Sequence, residues 1–74
     1  MADQTLNAIG LKCPMPVLKT KKVITGMAAG QTLELIADDM GAKSDIPALL
    51  NKNNCTLVEM KEEGGKLTFL IKKN

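Results

Sequence analysis

Two thiols, Cys13 and Cys55, are the side chains of this sequence best suited to nucleophilic chemistry. They stand 42 positions apart, form no Cys-x-x-Cys, and cannot supply a four-thiolate metal site by themselves. A disulfide between them is formally open. The opening Met-Ala-Asp-Gln, however, has neither the basic region nor the apolar stretch of a secretory signal. Two reduced thiols in a cytoplasmic protein are therefore expected.

Cys13 has the richer context. Pro14 and Pro16 follow it, and no Pro or Gly recurs until Gly26. Proline suits a helix in its first turn, where the missing N–H would be unpaired anyway. A helix should thus begin at Pro14, with Cys13 at or beside its N-cap. A helix start leaves N–H groups unpaired and carries a partial positive charge. Both favour a thiolate over a thiol, and Lys12 adds a positive charge next door. Pro14 and Pro16 stiffen the turn that presents the sulfur. The same arrangement would stabilise a persulfide anion. The plain alternative is a small buried cysteine beside a proline-marked helix start.

The remaining candidates are weaker. Cys55 lies among strand-like residues and reads as a structural thiol. Asp38, Asp39 and Asp45 could suggest a magnesium site, but helix capping and solvation explain them better. Met15, inside the proline segment, could be exposed beside the thiol and offer a partner soft apolar contact. Lys19, Lys21 and Lys22 are either a solvated face or a docking surface. No metal or cofactor is implied.

What is missing narrows the field further. There is no His, Arg, Trp or Tyr, and Phe69 is the sole aromatic residue. Histidine acid/base chemistry, His-containing zinc sites and arginine phosphate forks are excluded. So are the stacking platforms of most single-strand nucleic-acid binders. Residues 4–33 carry Lys12, Lys19, Lys21 and Lys22 and no acid, a local +4, whereas residues 34–45 sum to −3. The net charge of +2 is small for a DNA-binding module.

These residues need a scaffold, and the pattern supplies one. Thr5–Ala8 alternates as a first strand with Leu6 and Ala8 inward. In the helix after Cys13, Val17, Thr20, Ile24 and Met27 form a stripe facing a sheet, flanked by Leu18 and Val23, while Lys19 and Lys22 face water. Gln31–Ala37 is a second strand with Leu33, Leu35 and Ala37 on one face. Strand–helix–strand over this length implies a parallel pair. Asp38–Gly41 is a loop and a candidate cap, and Ser44-Asp45-Ile46-Pro47 signals a second helix with Pro47 in its first turn. Ile46, Leu49 and Leu50 would form its inner face. Cys55–Lys61 and Lys66–Lys72 are strands joined by a Glu62-Glu63-Gly64-Gly65 hairpin. In the last, Leu67, Phe69 and Ile71 share a face; in the third, either face could be buried, leaving Cys55 and Val58 unassigned. The order β-α-β-α-β-β predicts a two-layer α/β sandwich: a four-stranded mixed sheet with two helices on one face, in a single domain spanning 1–74. Apolar runs are too short to span a membrane.

The segment Gly10-Leu11-Lys12-Cys13-Pro14-Met15-Pro16 resembles the CPxP signature of the TusA/SirA family of small sulfur carriers. Leu6, the Pro-Val-Leu-Lys run, Asp38-Asp39, Asp45-Ile46-Pro47-Ala48 and Phe69-Leu70-Ile71-Lys72 extend the resemblance along essentially the whole chain. Met40 and Ile9 depart from the commoner family pattern. The resemblance implies the same β-α-β-α-β-β fold and a cysteine, Cys13, that carries sulfane sulfur as a persulfide. Implied donors are a cysteine desulfurase or a rhodanese. The implied acceptor is a DsrE-like relay protein leading to tRNA thiolation or sulfur oxidation. Direct nucleic-acid or membrane binding is not expected, and a monomer is. Gly10, Pro14 and Pro16 would shape the motif, and Lys12, Met15, Lys19 and Lys22 would dock partners. Two rival readings are a regulatory or RNA- or protein-binding module without sulfur chemistry, and a thiol redox protein. The second requires Cys55 to approach Cys13.

Overall fold

The computed structural model describes residues 3–12 and 15–74. Its elements run β1 (Gln4–Ala8), α1 (Met15–Thr25), β2 (Thr32–Ala37), α2 (Ala42–Lys52), β3 (Cys55–Glu63) and β4 (Lys66–Lys73). The sheet order is β1-β2-β4-β3. β1 and β2 are parallel, and β4 is antiparallel to both β2 and β3. This is the expected mixed four-stranded sheet.

Its rows explain the core. Leu33, Leu35 and Ala37 of β2 lie opposite Ile71, Phe69 and Leu67 of β4, and all six are fully buried. Ile24 of α1 and Ile46, Leu49 and Leu50 of α2 join the same cluster, so both helices cover one sheet face. The other face carries the half-buried Thr32, Glu34 and Ile36 of β2, as a mixed sheet with its helices on one side permits.

On α1 the buried residues are Pro16, Thr20 and Ile24, followed by Met27 beyond the helix end, while Val17 is only half-buried. The stripe is therefore centred on Pro16 rather than Val17. The buried Thr20 hydroxyl is satisfied by donating to the Pro16 carbonyl at 2.7 Å. Lys19 and Lys22 are exposed. At the far end of the helix the Lys73 ammonium donates to the Ile24 carbonyl at 2.7 Å, a cation placed where helix carbonyls lack partners.

The second helix corrects the proline-based expectation. It begins at Ala42, with Gly41 as N-cap, and Pro47 lies inside it. The N–H groups of Ala42, Lys43 and Ser44 donate to the carbonyls of Asp39, Met40 and Gly41, a tight first turn seeded by the preceding loop. Pro47 removes the bond to the Lys43 carbonyl, and Lys43 is exposed, so water can serve that group.

β3 settles the unassigned face. Leu57 pairs with Ile71 and Glu59 with Leu70, leaving Val58 as an extra residue in a bulge. Cys55 and Leu57 point towards the helices, and after the bulge Met60 and Glu62 take over that side, opposite Phe69 and Leu67. Cys55 is buried and Val58 is 53% exposed. The hairpin turn is the pair Gly64-Gly65, with φ of 54° and 80°, the left-handed geometry that a two-residue hairpin loop demands. Among the described residues, no helix is long and apolar enough to cross a membrane.

Candidate functional site

The parallel pair β1 and β2 ends at Ala8 and Ala37, which are in register and fully buried. The loops leaving these two strands therefore emerge side by side. In the first, the Ile9 N–H donates to Asn7 Oδ1 at 3.0 Å and the Leu11 N–H returns to the Ala8 carbonyl at 3.1 Å. Gly10 sits at the centre of this turn with φ of +85°. That backbone region favours glycine. Its N–H donates to Asp38 Oδ1 at 3.0 Å, joining the first loop to the second.

Gly10, Lys12, Asp38, Asp39 and Met40 line an open depression between the two loops. Lys12 is exposed, and its carbonyl accepts the Met15 N–H at 2.8 Å. Cys13 and Pro14, the expected nucleophile and helix start, lie outside the described residues. Met15 is 42% exposed, and Pro16 is buried at the base of α1. The first turn of α1 contains no acid. Lys19 and Lys22 lie further along the helix and do not line the depression.

Sequence reasoning separated a basic third from an acidic segment, yet the fold brings them together at this end. Asp38 and Asp39 share the depression with Lys12. From the sequence alone Asp38 reads as a solvated or capping residue. The signal that could have found it is the parallel pairing itself, which aligns the exits of β1 and β2. Among the described residues, no group of three or more potential ligands could hold a metal ion.

Cys55 occupies the other end of the sheet, in register with Lys73. Along β4, Lys73 and Leu67 are separated by six residues, roughly 20 Å at strand spacing, and Leu67 lies in the row of Ala37 and Ala8. Cys55 is a free thiol, 6% exposed, and its S–H donates to the Asn53 carbonyl at 3.4 Å. Burial pushes this thiol above its ordinary value of 9.0, opposed in part by the Lys73 ammonium. A protonated, enclosed thiol is a poor nucleophile.

The sequence matches the model of the family described as "Sulfurtransferase TusA" over residues 4–73. The chain belongs to the TusA family. The protein named sulfur carrier protein TusA from Allochromatium vinosum is 49% identical over 72 residues, covering 97% of this chain and 95% of the relative. YrkI of Bacillus subtilis is 43% identical, covering 97% and 96%. The crystal structure of a SirA-like protein from Desulfitobacterium hafniense superposes with a TM-score of 0.82 at 21% identity, covering 93% of this chain and 95% of that one. At that identity the likeness concerns the fold, and it is the fold described above.

Proposed function

We propose that this TusA-family chain is a sulfur carrier that holds sulfane sulfur as a persulfide on Cys13. A single carrier domain spanning 1–74 takes sulfur from a cysteine desulfurase or a rhodanese. It hands that sulfur to an acceptor such as a DsrE-like relay protein, feeding tRNA thiolation or sulfur oxidation. The carrier works as a cytoplasmic monomer, without a metal or cofactor and without touching nucleic acid directly.

The chemistry is thiol–disulfide exchange in form. The Cys13 thiolate attacks the terminal sulfur of a donor persulfide. A new S–S bond forms at Cys13 as the donor S–S bond breaks, and the donor cysteine leaves as a thiolate. No net oxidation occurs, so no external oxidant is needed. Handing the sulfur on repeats the step in reverse order. In this role Gly10, Pro14 and Pro16 shape the turn around the sulfur. Lys12 favours anionic sulfur, Met15 offers apolar contact, and Lys19 and Lys22 attract an acidic partner.

The observation that carries the choice of Cys13 over Cys55 is the burial of Cys55 at the opposite end of the sheet from Lys12. The same separation disfavours a redox pair between the two thiols. The test is intact mass after incubation with a cysteine desulfurase and cysteine. A gain of one sulfur atom, mapped to the Cys13 peptide, is expected. Unmodified protein under conditions that load a known carrier would overturn the proposal.

A further inference from the structure

We propose that Asp38 is a positioning residue for sulfur transfer, its carboxylate clamping through the Gly10 N–H the turn that leads into Cys13. This rests on the sulfur-carrier reading above and assigns a new part to a residue outside the CPxP segment.

The clamp joins elements far apart in sequence but fixed to each other in space. Asp38 follows directly on Ala37, and Gly10 follows Ala8 by two residues. Both alanines are fully buried and paired, so the carboxylate projects from a rigid strand end. A Cβ built on Gly10 would meet nothing within 4 Å, so glycine is not needed there for space. It is needed for its φ of +85°, the conformation in which its N–H meets Asp38 Oδ1. On one side the turn is closed by the Leu11 N–H to the Ala8 carbonyl, and on the other the Met15 N–H to the Lys12 carbonyl spans Cys13 and Pro14. A displacement of Gly10 is therefore passed to Lys12, the residue bonded to Cys13.

Position matters because sulfur transfer is a displacement with an aligned attacking atom, and small misplacements of a nucleophile slow such steps. Asp38 also carries charge, and charge alone predicts a different pattern. A carboxylate close to a nascent thiolate disfavours it, so neutralising Asp38 should help if electrostatics were its only effect. A clamp needs the acceptor oxygen, which Asn retains and Ala lacks.

The experiment compares the full chain with D38N and D38A in three readouts. These are hydrogen exchange of the Gly10 amide, sulfur loading from a low-molecular-weight persulfide followed by intact mass, and the pH midpoint of Cys13 alkylation. D38A should speed Gly10 exchange about tenfold and slow loading about fivefold, while D38N stays within about twofold of wild type in both. The alkylation midpoint of D38A should be unchanged or lower, so its slow loading cannot be charged to a weaker thiolate. Unchanged Gly10 exchange in D38A, or equal loading by D38A and D38N, would overturn the clamp. Failure of the wild-type chain to load overturns the carrier reading instead, while the amide exchange still reports on the Asp38 bond.

Discussion

The two ends of the sheet treat their side chains in opposite ways. Where β1 and β2 exit, the backbone turns through a left-handed glycine, Lys12 and Met15 are exposed, and carboxylates and an ammonium share an open depression. Where β3 begins, Cys55 is enclosed, its thiol bonded to Asn53, with Lys73 beside it anchored to the last turn of α1. One end thus exposes polar and charged groups, and the other encloses a thiol. Parallel strands open their C-terminal ends into loops that can present chemistry, a rule of α/β sheets in general. The antiparallel edge closes over its thiol and makes it a packing residue.

The strongest way to break this contrast is to exchange the thiols for hydroxyls. Cys13→Ser should abolish sulfur loading, and Cys55→Ser should retain it, as read by intact mass after exposure to a desulfurase and cysteine. Loading kept by Cys13→Ser and lost by Cys55→Ser would reverse the assignment. A finer comparison is alkylation of the native protein. Cys13 should react about a hundredfold faster than Cys55, which needs local opening to be reached, and its midpoint should fall below about 8.5. Peptide mapping of a brief alkylation pulse across pH gives both quantities.

Charge sharpens the contrast less severely. Reversing Lys19 and Lys22 to Glu should slow transfer from a protein donor by about tenfold at low salt. The gap should close as salt rises and the Debye length shrinks below about 8 Å. Stopped transfer assays at several ionic strengths test this, and identical rates throughout would reduce these lysines to a solvated face. The smallest effect belongs to Cys55 and concerns stability. The folded chain holds the Cys55 proton past 9.0, where the unfolded chain releases it. The associated stability is complete below that pH and is lost as pH rises through the folded value. Denaturant midpoints for wild type should therefore fall more steeply on the alkaline side than those of Cys55→Ala.

What the sequence disclosed, and what it withheld, divides by the range of the interactions involved. The Glu62-Glu63-Gly64-Gly65 hairpin was legible from its glycine pair, although Glu62 and Glu63 extend β3 and Gly64-Gly65 alone make the turn. The inward rows of β2 and β4 were legible because strand alternation reports burial directly. The start of α2 was not, since Pro47 states only where an N–H is missing, while the helix is seeded by carbonyls of the preceding loop. The face of β3 was hidden because one extra residue, Val58, inverts the alternation halfway along. Gly10 and Lys12 were named as motif and docking candidates, Gly10 through the resemblance of its segment to the CPxP signature and Lys12 through its place beside Cys13. Asp38 was not, because its link to Gly10 spans 28 positions and exists only once β1 and β2 are paired.

The bulge at Val58 also matters to the life of the protein among its own copies. β3 is nine residues long and forms an edge of the sheet, the kind of border onto which another chain can add a strand. An unpaired residue there breaks the even spacing of backbone donors and acceptors and twists the border away from a flat template. Glu59, Lys61, Glu62 and Glu63 add charges that a stacked neighbour would have to match. This long side of the sheet is thus a poor template for strand addition, whereas the loop end, where β1 and β2 exit, has no such edge to guard.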